Sequence, residues 1–111
     1  MSTTTTPAKA KSGAGFLKTE EREILKRSKM KIRALYHPLR EKILALIDGN
    51  KNVMHVTEIY VKLRIEQSVA SQHLAILRNE GFVNARRDGK TIYYSVNHDE
   101  IKRTLSIAKD L

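Results

Sequence analysis

The chain has 111 residues, 41% of them hydrophobic, no Cys, and 21 Lys and Arg against 12 Asp and Glu, a formal net charge of +9. That length holds one small domain with a marginal core, and the missing Cys excludes disulfides, thiolate metal sites and cysteine nucleophiles. No apolar run approaches the roughly 18 residues of a membrane span, and the start has no apolar signal region, so a cytoplasmic location is expected.

The excess charge is uneven. Residues 1–18 carry +3, 19–52 carry +4, 53–81 are neutral, 82–96 carry +2 and 97–111 balance. The middle of the chain is therefore near neutral between two basic flanks. That suits a protein that grips phosphates with its flanks and presents a neutral surface to bases. Charge alone does not separate this from a generic basic protein.

Residues 1–18 are rich in Thr, Ala, Lys and Gly, have no periodicity, and are expected to form a disordered basic tail. A passive tail is the ordinary reading, ahead of a phosphate-contacting arm. Residues 19–111 are expected to form the folded domain. Thr19 before Glu20, Glu21 and Glu23 reads as a capped helix start, with Ile24, Leu25, Ile32 and Leu35 on an apolar stripe up to about Leu35. Lys26, Arg27, Lys29, Lys31 and Arg33 read as a solvated face. Pro38 restarts the chain as a first helical residue. Leu39, Ile43, Leu46 and Ile47 recur at helical spacing, and Gly49-Asn50 ends that helix.

Val53-Met54-His55 is a short extended piece. Thr57 is expected to cap a third helix, Glu58 to about Leu63, with Ile59, Tyr60 and Leu63 inward. After Arg64-Ile65-Glu66 comes a fourth helix, about Gln67 to Asn79. Its inward residues are Val69, His73, Leu74 and Leu77; Gln67, Ser68, Ser71, Gln72, Ala75 and Asn79 face outward. Gly81 can end it in a left-handed conformation. Phe82–Arg87 and Thr91–Val96 are strand-like, joined by Asp88-Gly89 as a hairpin turn. A last helix starts at Asn97, with Ile101, Leu105 and Ala108 on one stripe. The fold class is mostly α with a small β-hairpin wing, a winged helix-turn-helix of order α-α-(β)-α-α-β-β-α.

The function follows from the fourth helix and the hairpin together. A helix with a small polar face can enter a major groove about 12 Å wide, and its first turns meet base edges. Gln67, Ser68, Ser71 and Gln72 are the candidate base contacts. Gln can pair bidentately with adenine, while Ser is less selective. Arg78, Arg86, Arg87 and Lys90 are the candidate contacts to the backbone, the last three from the wing. Polar residues on a surface helix and cations at a hairpin tip are ordinary features separately. Their occurrence in this order favours double-stranded DNA as the partner.

These residues also carry a family resemblance. Ser68-x-x-Ser71-x-His73-Leu74-x-x-Leu77-x-x-x-Gly81-Phe82-Val83, then Arg87-x-Gly89-x-x-x-x-Tyr94, resembles the ArsR family of winged helix-turn-helix repressors. His37-Pro38-Leu39-Arg40-x-x-Ile43-Leu44 resembles that family's Asp-Pro-x-Arg-x-x-Ile-Leu helix opening. The resemblance spans about residues 30–105. It implies a homodimer through the first and last helices, an inverted-repeat operator, and repression of transcription.

The departures are specific. Arg64 and Glu66 stand where the family's turn has Gly and Ser, so the helix is expected to start differently or its loop to pack otherwise. His37 replaces Asp and predicts a poorer cap. Thiolate sensing is excluded. His98 and Glu100 fall where one pair of a His/carboxylate metal site lies in other relatives, but the second pair would fall beyond Leu111. His98-Asp99-Glu100 therefore reads as a helix start rather than a zinc site. His73 reads as a core or interface histidine, and His37 and His55 lack partners at metal-ligand spacing. No metal, cofactor or catalytic constellation is expected, and an enzyme is the least favoured class. Tyr93 and Tyr94 alternate, one toward the core and one outward, with no signal to say which. The alternative is a winged protein-interaction module that has lost DNA binding, which an irregular turn at Arg64-Ile65-Glu66 would favour; a structured-RNA binder is a further rival.

Overall fold

The computed structural model describes residues 15–110. Residues 1–14 of the expected tail, and Leu111, lie outside the described residues. The elements are α1 (Thr19–Leu35), α2 (Pro38–Gly49), β1 (Met54–His55), α3 (Val56–Leu63), α4 (Gln67–Asn79), β2 (Val83–Asp88), β3 (Thr91–Val96) and α5 (His98–Lys109). The order is the one expected. The chain divides into two compact units between Met30 and Lys31.

In the first unit, Thr19 is the first helical residue rather than the cap. The Lys18 N–H donates instead to Glu21 Oε1 at 2.8 Å. A carboxylate in the first turn reaches back to an orphan donor and suits the positive end of the dipole, so the hydroxyl is not needed. Ile24 and Leu25, expected on an apolar stripe, are 61% and 55% exposed.

The second unit holds the core. Ile43 and Ile47 of α2, Met54 of β1, Ile59 of α3, Leu74 and Leu77 of α4, Phe82 and Val83, and Val96 of β3 form one buried cluster. Helical spacing on α2 and α4 and alternation on the strands aim these residues at one another. His37, which stands where Asp is usual, does cap α2: its Nδ1 accepts from the Leu39 N–H at 3.2 Å. An imidazole acceptor on an extended residue does the work of the usual carboxylate here.

β1 is more than an extended piece, because it pairs with β3 through Met54↔Tyr94 and His55↔Tyr93. The sheet is three-stranded and antiparallel, in the order β1-β3-β2. Asn52 extends it: its side chain accepts from the Val96 N–H at 2.7 Å and donates to the Val96 carbonyl at 3.3 Å. Since pairing reaches His55, α3 begins at once with Val56. Thr57 falls inside its first turn, and Glu58 Oε1 accepts from the His55 N–H at 3.2 Å instead.

The hairpin also differs from expectation. Asp88 pairs with Thr91, so the loop is Gly89-Lys90 rather than Asp88-Gly89. Gly89 takes φ 67° at the first loop position, where a type II′ turn needs positive φ. Phe82 stays outside β2. Its N–H donates to the Leu77 carbonyl at 2.8 Å and its carbonyl accepts from Asn97 at 2.8 Å.

The packing of α4 separates neighbours sharply. Leu74 is fully buried, while Ile76 is 38% exposed. Leu74→Ala should therefore cost about 2–5 kcal/mol in urea unfolding, and Ile76→Ala less than about 0.5 kcal/mol.

Candidate nucleic-acid interface

The turn between α3 and α4 closes despite its unusual residues. Arg64 adopts φ 57° and ψ 45°, the left-handed conformation for which Gly is the easier residue. The Arg64 N–H donates to Val61 at 3.2 Å and the Ile65 N–H to Tyr60 at 3.1 Å, which satisfies the end of α3. Glu66 then stands extended as the N-cap of α4 without a side-chain bond, and its carbonyl accepts from Ala70 at 3.0 Å. α4 opens at Gln67, where the sequence places it, so Arg64 and Glu66 do not shift the helix start.

On α4 the buried positions are Ala70, Leu74 and Leu77, spaced four and three apart. Ala70 was missed by the sequence reading, which put Val69 in its place; Val69 is only half-buried. Gln67, Ser68, Ser71, Gln72, Ala75 and Asn79 are all exposed, as expected. Arg78 is exposed near the far end of the same helix, about 16 Å along the axis from Gln67 at 1.5 Å per residue.

The wing divides its cations between two faces. Strand alternation puts Arg87 on the side of Ile92, Tyr94 and Val96, and Arg86 on the side of Tyr93. Tyr94 packs against the core. Tyr93 lies on the other face, with its ring edge-on to His55 at 5.8 Å between centroids. The Arg86 guanidinium carbon stands 5.3 Å from the Tyr93 ring centroid. Arg86 is thus stacked away from α4, while Lys90 at the tip joins Ser71 of α4. Those two, with Thr57, Thr91 and Tyr94, line a cleft of about 280 Å³ between the helix-turn-helix and the wing. Gln67, Ser68 and Gln72 do not line that cleft.

Two cations missed by the sequence reading hold α4 in place. Lys31, expected on a solvated face, donates to the Glu80 carbonyl just past α4 at 2.5 Å and pairs with Glu100 Oε2 of α5 at 2.6 Å. Its ammonium also stands 5.3 Å from the Phe82 ring centroid. Arg40 of α2 is buried; its Nε donates to Ala34 O at 2.7 Å and its Nη2 to Arg33 O at 3.3 Å. Its Nη1 meets His73 Nδ1 of α4 at 3.2 Å. Arg40 was marked only as a motif residue of the family's helix opening and Lys31 not at all, because a buried Lys or Arg looks in sequence like any exposed one.

At the start of α5, Asn97 is the cap, accepting from the Glu100 N–H at 3.2 Å. His98 Nε2 lies 2.9 Å from Asp48 Oδ1, and Glu100 also pairs with Arg103. His98 and Glu100 are thus engaged with different partners. Among the described residues no three His, Cys, Asp or Glu side chains converge to hold a metal. The Lys31 hydrogen bond, helped by the charges of Lys31 and Arg103, holds the Glu100 carboxyl below its ordinary value despite partial burial. A carboxylate depressed in the folded state stabilises above its ordinary pKa, and that contribution is lost as pH falls through the folded value. Glu100→Gln should therefore be less stable at neutral pH and lose less stability than the parent below pH 4.5, read from urea midpoints across that range.

Residues 37–85 match the model of a family described as "Bacterial regulatory protein, arsR family". The chain is 33% identical over 76 residues to the transcriptional activator HlyU of Vibrio cholerae, covering 68% of either chain. It is 32% identical over 76 residues to the transcriptional repressor PagR of Bacillus anthracis, covering 68% of this chain and 75% of PagR. The crystal structure of NolR from Sinorhizobium fredii superposes with a TM-score of 0.67 at 33% identity, over 86% of this chain and 93% of that one.

Proposed function

Given that the chain belongs to the arsR family of bacterial regulatory proteins, we propose that it is a homodimeric repressor that binds double-stranded DNA sequence-specifically at an inverted-repeat operator. The observation that carries this is the face of α4. Gln67, Ser68, Ser71 and Gln72 form an exposed polar surface on a helix whose opposite face is fully buried, beside a wing carrying Arg87 and Lys90. Such a helix can lie in a major groove with its first turns on base edges, while the wing crosses the backbone. In this reading Gln67, Ser68 and Gln72 read bases. Ser71 serves both bases and backbone, because it shares the cleft with Lys90. Arg78, Arg87 and Lys90 meet phosphates, and Arg86 does so from the outer face of the wing.

The dimer reading rests on an apolar groove. Ile32, Leu35, Tyr36, Leu44, Ile101 and Leu105 line a hollow of about 490 Å³. Tyr36 is 89% exposed and Leu105 56%. Apolar surface on this scale marks an interaction face, and a second copy fits the family's two-fold operators. Two α4 helices about 34 Å apart would enter successive major grooves on one side of the duplex. Repression follows where the bound dimer covers promoter DNA; PagR is named a repressor and HlyU an activator, so the direction is a matter for a promoter assay.

Residues 19–111 form the working unit of this reading, acting in the cytoplasm. HlyU and PagR are named as transcriptional regulators, and catalysis has no part in the reading. Loss of DNA binding gains no support from the turn at Arg64-Ile65-Glu66, whose backbone hydrogen bonds are made and which leaves the polar face of α4 exposed.

Selection of bound sequences from a random duplex pool should enrich an inverted repeat with half-sites about one helical turn apart. No enrichment, or better binding to structured RNA, would overturn the reading. Affinity should fall steeply with salt, with a log–log slope near −0.9 per phosphate neutralised. Gln72→Ala should relax preference at one position per half-site at a cost of roughly 1–3 kcal/mol, whereas Arg87→Ala should weaken all duplexes about equally. Uniform losses in both variants would mean that the division between reading and gripping is wrong.

A further inference from the structure

The contact between Arg40 and His73 admits one protonation state. A guanidinium only donates, so His73 Nδ1, 3.2 Å from Arg40 Nη1, is the acceptor and the ring is neutral with its proton on Nε2. A protonated imidazole has donors at both nitrogens, so its Nδ1–H would point at an N–H of Arg40. Arg40 cannot turn aside. It is 9% exposed and held through Nε and Nη2 by the Ala34 and Arg33 carbonyls at the end of α1. The strain of a proton on His73 therefore falls on α4.

We propose that His73 makes the DNA-reading helix acid-sensitive: a proton on its ring breaks the bond to Arg40, loosens α4 from α2 and the end of α1, and weakens binding to duplex DNA. The inference deepens the DNA-binding reading above and rests on it. His73 is a positioning residue here, half-buried and not on the exposed face of α4.

The surroundings set the direction of the effect. Burial first, then the charge of Arg40 and then that of His37, whose ring centroid is 4.9 Å away, hold His73 below the ordinary imidazole value. α3 and β2 also pack on α4, but the charges acting on His73 are those of Arg40 and His37, both from the α2 side. With the folded pKa below the unfolded one, the native state binds fewer protons than the unfolded chain. The native arrangement is then fully favoured above pH 6.5 and loses ground as pH falls through the folded value. A cation gained on an exposed face would instead tighten binding to a polyanion, so the sign of the pH effect separates a switch beneath α4 from a surface charge.

A metal ion is a poorer input than a proton. The Nδ1 lone pairs of His37 and His73 are already engaged by the Leu39 N–H and by Arg40, so neither is free for a metal.

The test uses the duplex recovered by selection and compares affinity at about pH 7.5 and about pH 5.5 at equal ionic strength. The wild-type chain should bind roughly tenfold more weakly at the lower pH. His73→Gln, whose amide oxygen accepts from Arg40 at either pH, should match the parent at the higher pH and change by less than about twofold. Unchanged or tighter wild-type binding in acid would overturn the proposal, as would an equal acid loss in the variant. Should the variant misfold, NMR of the wild-type protein decides. The His73 ring should be the Nε2–H tautomer near neutral pH and titrate below 6.5, and the Nδ1–H tautomer or a higher midpoint would overturn the proposal. A wild-type chain that binds no duplex at the higher pH refutes the DNA-binding reading instead, and the NMR titration then still judges the switch.

Discussion

A buried guanidinium must find acceptors for its donors, and Arg40 finds them on two elements other than its own. A charge held away from water is costly unless it is hydrogen-bonded. Arg33 and Ala34 supply carbonyls left without intrahelical partners at the end of α1, where a cation also complements the helix dipole. His73 supplies the third acceptor from α4. One side chain thus links the first turn of α2 to the end of α1 and to α4. Removing it would leave those carbonyls and the imidazole unsatisfied together.

Lys31 repeats the device at the other end of α4. It takes the Glu80 carbonyl and the Glu100 carboxylate, and so ties the end of the reading helix to α5. Between the two cations, Ala70, Leu74 and Leu77 provide a close apolar seat. This arrangement lets a small core hold a helix firmly while the opposite face stays bare for a ligand. It also means that α5 and the end of α1 are joined to α4 by two polar contacts as well as by the shared core.

Much of this was legible in the sequence, and the exceptions share causes. The spacing of Leu74 and Leu77 located α4 to the residue, and its polar face proved exposed. The left-handed turn at Arg64 was misjudged because the cost of positive φ for a non-Gly residue is small against the packing of two helices. Caps moved by one or two residues wherever a nearby carboxylate or imidazole outcompeted a Thr, as at Thr19 and Thr57. The burial of Lys31 was invisible because its partners at Glu80 and Glu100 are distant in sequence, and that of Arg40 because spacing does not say that Arg33 and Ala34 turn their carbonyls to it. The faces of Arg86 and Arg87, and the roles of Tyr93 and Tyr94, needed the register of β2 on β3.

That register rests on a loop of two residues, Gly89 and Lys90, closed by the pair Asp88↔Thr91. Strand side chains alternate, so parity governs what each cation meets. A hairpin lengthened by two residues in each strand would carry its cations farther out and keep them on their faces. One extra residue in β2 before Arg86 would either bulge the strand or exchange the faces of Arg86 and Arg87. The wing can therefore vary in reach by even steps at little cost, while an odd step would turn the cation beside the reading helix to the opposite side of the sheet.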